Sequence, residues 1–458
     1  MDAKGANNMD PLLDAAAIAK KLGSLRVADA VDALDALDHP TAVAVLKVMP
    51  LPLAVQLFDE AGLDHPATIV KLLPDSLSAA ILDGMSADRR VDIFRHLAPP
   101  ERERLTKLLP TADQASLAQL LTYPPTTAGG MMTTEFLSLA PDLPVEDALR
   151  HIREVANEKE TIYAIYVVDP TTHKLIQPIS LRDLILADPE ATVGSIERNR
   201  KPIVVQPTTD REEVSALISK YDLLALPVVE ASGKLIGIVT VDDVIDAMVE
   251  ETTEDVQRFG GMESLNAPYM EISFLEMIKK RAGWLCALFL SEMLTASAMQ
   301  HYEDQLEKAV VLTLFIPLIM SSGGNSGSQA TSLIIRALAL GEVKLKDWWL
   351  IASRELPSGI VLGAILGVIG FIRIALWQHF GFYDYGEHWL LIASTVACAL
   401  VGIVTFGSLT GSMLPFVLKR LGFDPATASA PFVATLVDVT GLVIYFTIAY
   451  QILKGTLL

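Results

Sequence analysis

Cysteine is almost missing from this chain of 458 residues: the two present, Cys286 and Cys398, both lie in apolar runs. A disulfide framework and a CxxC metal site are thereby excluded. Histidine is thin too, eight residues scattered singly, and no HExxH pair occurs. The chain also lacks a GxxxxGKS/T phosphate loop, a GxSxG elbow and EF-hand spacing. With no catalytic constellation and nothing to couple it to nucleotide hydrolysis, the expectation is a protein that is not an enzyme. The first 278 residues are short of positive charge, with 24 basic against 44 acidic side chains, a net of −20; residues 279–458 hold 12 and 11. Phosphates would be repelled by the acidic part, which argues against nucleic acid as a partner. Cations are the ligands to look for. The opening stretch MDAKGANNMDPLLDAAAIAK has no apolar signal core, so residues 1–278 are expected in the cytoplasm.

What is present divides by chemistry. Length alone allows two to four domains. Residues 12 to about 122 read as short helices punctuated by proline, with Asp38-His39-Pro40 and Asp64-His65-Pro66 at similar spacing to Pro50 and Pro74. This predicts a solenoid-like stack of helical hairpins, or else an irregular bundle. Residues 131–255 hold an internal repeat. AIYVVDPTTHKLIQPISLRDLI (164–185) realigns on ALPVVEASGKLIGIVTVDDVI (225–245), and Asp183 matches Asp243. Each copy reads helix, strand, turn, strand, helix, and neither buries both faces alone.

From Gly283 five spans of bilayer length can be drawn, at 283–300, 309–340, 356–377, 389–418 and 430–452. Lys279, Lys280 and Arg281 precede the first; Arg336, Lys344, Lys346 and Arg354 follow the second; Lys419 and Arg420 follow the fourth. The other loops hold only Lys308. This asymmetry puts the N-terminal domains inside and the C-terminus outside, with Arg373 as the misfit.

Three features carry chemistry. Asp438 stands alone in APFVATLVDVTGLVIYF, where a charge is expensive and usually faces an ion route; the bland alternative is a carboxylate bonded to a neighbouring helix. Span two contains SSGGNSGSQATS. Non-helical backbone at membrane depth survives only in protein or beside water, so Gly323 and Gly324 are expected to free carbonyls, with Asn325 and Gln329 adding oxygens. Close packing through small residues is the competing reading, and Gly359, Gly363 and Gly367 in span three are read as packing only. Third, DDVIDAMVEETTED (242–255) has seven acidic residues and no basic one. It is either a solvated face or, lying just before the membrane part, a cation sensor.

These stretches resemble the MgtE family of bacterial magnesium channels. PLIMSSGGNSGSQATSLIIRALALGEV and APFVATLVDVTGLVIYF are similar to its second and fifth spans, and VTVDDVIDAMVEETTEDVQR to its junction between regulatory and pore parts. The likeness implies a multidomain fold: a helical N domain (1–125), an α+β tandem CBS pair (126–255), a connecting helix and linker (256–280) and an α-helical five-span pore domain (281–458). It implies a homodimer in the bacterial inner membrane, with Mg²⁺ passing inward between two copies of Asp438 beside Ala434 and Asn325. Cytosolic Mg²⁺ would bind Asp210, Glu212, Asp222, Asp243, Asp246, Glu251, Glu254 and Asp255 and shut the pore. Ser180, Arg182 and Asp183, with Thr240 and Asp243, match the pattern by which such CBS pairs bind ATP or another adenine nucleotide; a turn cap explains them equally. Three departures stand out. YPPTTAGG (123–130) lacks an acidic pair, which puts an ion site between N domain and CBS pair in doubt. Gln177 replaces a usual glycine and is expected to distort the first CBS copy. Ala430 takes the place of a polar residue at the inner pore mouth, with selectivity or conductance the property at stake. A transporter of Co²⁺, Mn²⁺ or Ni²⁺, or a membrane-anchored CBS sensor without transport, are the alternatives.

Overall fold

Proline sets the grain of the N-terminal part. Nine helices, α1 (Pro11–Leu22), α2 (Val27–Asp35), α3 (His39–Val48), α4 (Leu51–Asp59), α5 (Pro66–Leu72), α6 (Asp75–Gly84), α7 (Ala87–His96), α8 (Pro99–Thr106) and α9 (Thr111–Leu120), follow one another in the computed structural model, which describes residues 11–156, 159–196, 201–265, 269–270 and 272–457. Pro40, Pro52, Pro66 and Pro100 stand in the first turns of four of them, where a missing amide hydrogen costs nothing. Each helix packs on the next but one, α1 on α3, α2 on α4, and so on to α7 on α9. That is a stack of helical hairpins, the solenoid-like alternative. Asp35 accepts the amide of Asp64 and Asp59 that of Ser86, so successive repeats are tied in the same way. The two Asp-His-Pro corners meet, His39 edge-on to His65 at 6.2 Å.

The chain forms two compact units, Met1–Met248 and Val249–Leu458. In the first, after α10 (Ala128–Met131), the repeat folds twice: β1 (Leu137–Leu139), α11 (Val145–Val155), β2 (Ala164–Val168), β3 (Leu175–Ser180) and α12 (Leu181–Leu186), then α13 (Arg211–Tyr221), β4 (Ala225–Val229), β5 (Leu235–Thr240) and α14 (Val241–Phe259). β2 and β3 are antiparallel, as are β4 and β5, and both pairs shift register at the equivalent step, Val167/Val168 and Val228/Val229. The turns differ by one residue, yet His173 and Gly233 both adopt left-handed backbone at the same place. The two hairpins touch there through Leu175 N–H to Gly233 O and Leu235 N–H to His173 O.

Gln177 does not distort its copy. It pairs with Val167 and its Nε2 donates to Ile196 O at 2.9 Å. Its counterpart Gly237 is glycine for a local reason: a Cβ there would lie 2.7 Å from Met132 Sδ and 2.8 Å from Thr133 O, which cross that strand.

Among the described residues, the second unit holds five helices long and apolar enough to cross a membrane. They are α15 (Phe274–His301), then, beyond the short α16 (Glu303–Lys308), α17 (Ile316–Ala339), α18 (Trp348–Phe380), α19 (Trp389–Arg420) and α20 (Ala430–Leu453). α19 is the hub, packing on α17, α18 and α20. The glycine stripe of α18 is packing: Cβ atoms added at Gly359, Gly363 and Gly367 would strike Thr405 Cα, Val401 Cα and Ala397 O at 2.7, 2.6 and 2.9 Å. The expectation of broken backbone in span two fails. α17 runs unbroken through SSGGNSGSQATS, because its glycines serve close approach instead; Gly407 and Gly411 of α19 face the carbonyls of Gly323 and Gly327. Thr331 Oγ1 donates to Gly411 O and Ser326 and Ser408 bond at 2.8 Å, so the buried polar groups of this seam are satisfied. Arg373, near the end of α18, lies 4.9 Å over the Trp377 ring, a stacking that lets a cation sit near the interface.

Candidate ion-permeation and ion-sensing sites

α20 starts at a built cap. Ser429 Oγ accepts the Phe432 amide and the Trp284 indole N–H, the latter at 3.2 Å. From there the helix runs 24 residues. Asp438, eight residues in, lies about 12 Å beyond the start of the helix, well inside the apolar span. Val433, Val437, Gly441 and Tyr445 bury one side of α20, whereas Asp438 and Ala434, one turn apart, are half-exposed. Asp438 has no hydrogen-bond or ion-pair partner among the described residues. The bland reading, a carboxylate locked to a neighbouring helix, is not what the structure holds.

α17 meets α20 antiparallel. Gly323 lies against Val437, Gly324 against Ala434, Gly327 against Val433, and Ser328 Oγ donates to Ala430 O at 3.4 Å. This register places Asp438 level with Met320 to Ser322. Ser321, Asn325, Gln329 and Ser332 are all exposed and recur at helical spacing, a polar stripe on an otherwise apolar span. Asn325 Nδ2 donates to Ser321 Oγ at 3.4 Å. Ala434, Asn325 and Asp438 therefore belong to one neighbourhood. Ala434 is within continuous helix, so its carbonyl has only its second lone pair to offer.

The eight acidic residues singled out in the regulatory part are not brought together. Asp210 caps α13 by accepting the Glu212 amide at 2.8 Å, while Asp222 ends that helix in left-handed conformation. They stand about 18 Å apart along its axis. Asp243 and Asp246 belong to the first unit and Glu251, Glu254 and Asp255 to the second. Among the described residues no three His, Cys, Asp or Glu side chains converge to ligate a metal directly.

Around Asp243, however, carboxylates crowd from elements the repeat does not predict. Asp246 pairs with Arg89 of α7 at 2.9 Å. Asp88, beside it, is only 7 % exposed, and its Oδ1 has no hydrogen-bond partner. Burial, then the charges of Asp243 and Glu160, push the Asp88 carboxyl well above its usual range. Burial and then Asp243, Asp59 and Asp242 push Glu160 up to about 7; burial raises Asp243 to about 6, against a 2.6 Å hydrogen bond from Thr240. Asp88 and Glu160 therefore lie in the electrostatic neighbourhood of Asp243, from outside the YPPTTAGG segment. That segment is a packed joint: added Cβ atoms at Gly129 and Gly130 would hit Tyr123 and Pro124, and Arg95 donates to the carbonyls of Tyr123 and Gly130. In sequence these acids looked like ordinary helix-start and loop residues, and no local signal marked them.

In the second unit, Arg258 near the end of α14 is paired with Glu254 and with Asp424, just before α20. Asp255 is raised to about 6 by burial, then by Asp424 and Glu251. Phe259 packs against the buried cluster of Ile335, Ala426 and Ala428, at the end of α17 and before α20, as do Leu414 and Leu418 of α19. The last turn of α14 is therefore fastened to that end of the spans.

Ser180 and Asp183 close on each other: Ser180 Oγ donates to Asp183 Oδ2 at 2.6 Å and accepts the Asp183 amide, a capping box. Thr240 and Asp243 make the equivalent bond, and Arg182 is exposed. The turn-cap role of this pattern is visible in the first copy.

Three family models match in order: an MgtE intracellular N domain over residues 25–126, CBS domains over 128–190 and 193–250, and a divalent cation transporter over 316–448. The magnesium transporter MgtE of Thermus thermophilus is 37 % identical over 87 % of this chain and 92 % of its own. That of Enterococcus faecalis is 36 % identical over 75 % and 72 %. The chain belongs to the MgtE family. It is a multi-pass membrane transporter whose N-terminal helical domain and CBS pair are cytosolic. Among solved structures, the cytosolic domain of the Mg²⁺ channel MgtE in complex with ATP is similar at 37 % identity and a TM-score of 0.47, covering 50 % of this chain and 93 % of that one. The soluble part of a magnesium transporter is similar at 29 % identity and 0.48.

Proposed function

We propose that this MgtE-family protein conducts Mg²⁺ into the cell as a homodimer, with Asp438 of each subunit facing one shared aqueous route. The observation that carries this is a carboxylate well inside an apolar span with no protein partner, level with the polar stripe of α17. Unpaired charge at that depth is retained where water and ions reach it. Two subunits set face to face would bring two copies of Asp438 to one level, with Asn325 and the Ala434 carbonyls about one helical turn away. All are oxygen donors, which suit Mg²⁺ over the softer transition metals. Mg²⁺ sheds its six waters reluctantly, so the carboxylates hold it through water. The membrane potential drives entry at about 2.3 kcal/mol per charge per 100 mV, hence roughly twice that for a divalent ion. Relatives named magnesium transporters support the choice of ion.

Regulation follows from the crowded acids. Asp88, Asp243 and Glu160 repel one another, and so do Glu251, Glu254, Asp255 and Asp424. Hydrated Mg²⁺ among them offsets that repulsion, favours the closed arrangement of α14 and, through Arg258 and Phe259, holds the pore shut; scarcity of Mg²⁺ shifts the population to open. Asp210, Glu212 and Asp222 would act as separate, weaker ion contacts. An adenine nucleotide beside Ser180, Arg182, Asp183 and Thr240 would modulate the same pair of CBS copies, in keeping with the ATP complex of the related cytosolic domain.

The deciding experiment is Mg²⁺ uptake into proteoliposomes at a set potential, comparing wild type with Asp438→Ala. Uptake that survives the substitution unchanged removes the proposed route. For the sensor, neutralising Asp243, Asp246, Glu251 and Glu254 is expected to abolish Mg²⁺ protection of residues 250–275 from protease; part of that stretch, Asn266–Pro268 and Glu271, lies outside the described residues.

A further inference from the structure

A second carboxylate stands at the depth of Asp438 and has no role in the pathway described above. Glu292 lies in α15, inside the run WLCALFLSEMLTASAM. α15 and α20 run parallel. Near their starts Trp284 lies 6.2 Å from Phe432; near their ends Tyr302 stacks on Phe446 at 4.8 Å and 18°. Glu292 is eight residues past Trp284 and ten before Tyr302. Asp438 is six past Phe432 and eight before Phe446. At 1.5 Å per residue the two stand about 12 Å and about 9 Å above the same lower contact, level within one helical turn. Glu292 is also the charged group whose field is felt at Asp438. Neither carboxylate has an ion-pair partner among the described residues. On the next turn of α15, at i+3 and so on the same side, Thr295 Oγ1 is shielded from solvent without a hydrogen-bond partner.

Two unpaired acids at one membrane depth are costlier than one, since each raises the cost of ionising the other. A cation beside them offsets both. We propose that Glu292 is a permeation residue: with Asp438 it forms a two-carboxylate station in each subunit that concentrates hydrated divalent cations over monovalent ones. Attraction to the ion scales with its charge, so an added carboxylate favours Mg²⁺ over K⁺. The inference rests on the reading of Asp438 as part of the route.

The test uses the full-length protein in proteoliposomes, recording the Mg²⁺ concentration for half-maximal uptake with and without competing K⁺. Glu292→Gln is expected to raise it on the order of tenfold and to make it more sensitive to K⁺; Glu292→Asp, which keeps the charge, should return it to within about threefold of wild type. Glu292→Ala makes the same comparison if the glutamine variant is not monodisperse, alanine being the best helix former. Asp438→Asn is run alongside. A wild-type half-maximal concentration in the neutral Glu292 variants, with Asp438→Asn inactive, would overturn the role of Glu292 and leave the Asp438 route standing. An Asp438→Asn protein that conducts normally overturns the route itself, and with it the two-carboxylate station.

Discussion

Removing one charge from the cytosolic acidic cluster should tighten it when Mg²⁺ is absent. Glu160 is raised by burial and neighbouring acids from 4.5 to about 7, and Asp243, chiefly by burial, from 3.8 to about 6. Carboxylates that hold their protons more tightly folded than unfolded make the folded state bind more protons. Their contribution to stability is therefore greatest at low pH and declines as pH rises, from about 4.5 to 7 for Glu160 and from about 4 to 6 for Asp243. At about 1.36 kcal/mol for each pH unit the ceiling for Glu160 is roughly 3 kcal/mol. Glu160 is half-buried, and solvent screening brings this to ~1–2 kcal/mol. Glu160→Gln keeps the shape and removes the charge. In full-length protein in detergent with a chelator at pH 7.5, amide hydrogen exchange in α7 and at the start of α14 should slow about tenfold relative to wild type. Wild-type protection there should fall between pH 5 and 7, whereas the variant's pH dependence should be flatter. Added millimolar Mg²⁺ should protect the wild type more than the variant, since it offsets a repulsion the variant has already lost. A variant that exchanges as fast as wild type at pH 7.5, or wild-type protection that does not fall with pH, would refute the reasoning.

Gly411→Leu should be severe, because its Cβ would collide with the Gly327 carbonyl oxygen. A loss of about 3 kcal/mol or more is expected in detergent thermal unfolding, against about 1 kcal/mol for Gly422→Ala, whose cost is only its left-handed backbone. Arg258→Gln releases the end of α14 from Asp424 and leaves Glu254, Asp255 and Asp424 uncompensated. Uptake should then persist at internal Mg²⁺ that shuts the wild type, and unaltered shut-off would separate this ion pair from gating. Ser180→Ala should cost roughly 1 kcal/mol through loss of the α12 capping box, visible as faster exchange of the α12 amides; unchanged exchange would show that the box contributes nothing.

Much of the architecture was legible because it is periodic. The prolines at fixed offsets, the 60-residue repeat that aligns Asp183 with Asp243, and five apolar runs of bilayer length each follow from short-range rules. So did the glycine stripe of α18, whose spacing alone suggests close packing. The same rule applied to Gly323 and Gly327 was outweighed in the sequence reading by the polar residues between them. Only the facing Gly407 and Gly411, over 80 residues away, reveal that those glycines seat one helix on another. Gln177 looked like a defect because its counterpart is glycine. The reason for Gly237 is the passage of Met132 and Thr133 beside that strand, a long-range contact that the repeat pattern does not encode.

The charges divide in the same way. That this chain crosses a membrane, carries an acidic cytosolic part and keeps an aspartate in its last span was determined by composition and pattern alone, since hydrophobic length and net charge are sums over residues. Which acids meet was decided only by tertiary structure. Asp88 and Glu160 join Asp243 from a helix and a loop distant in sequence, and Glu292 reaches the level of Asp438 because α15 and α20 pack in parallel. Electrostatic energy depends on distance and burial, and neither is set until the helices have packed.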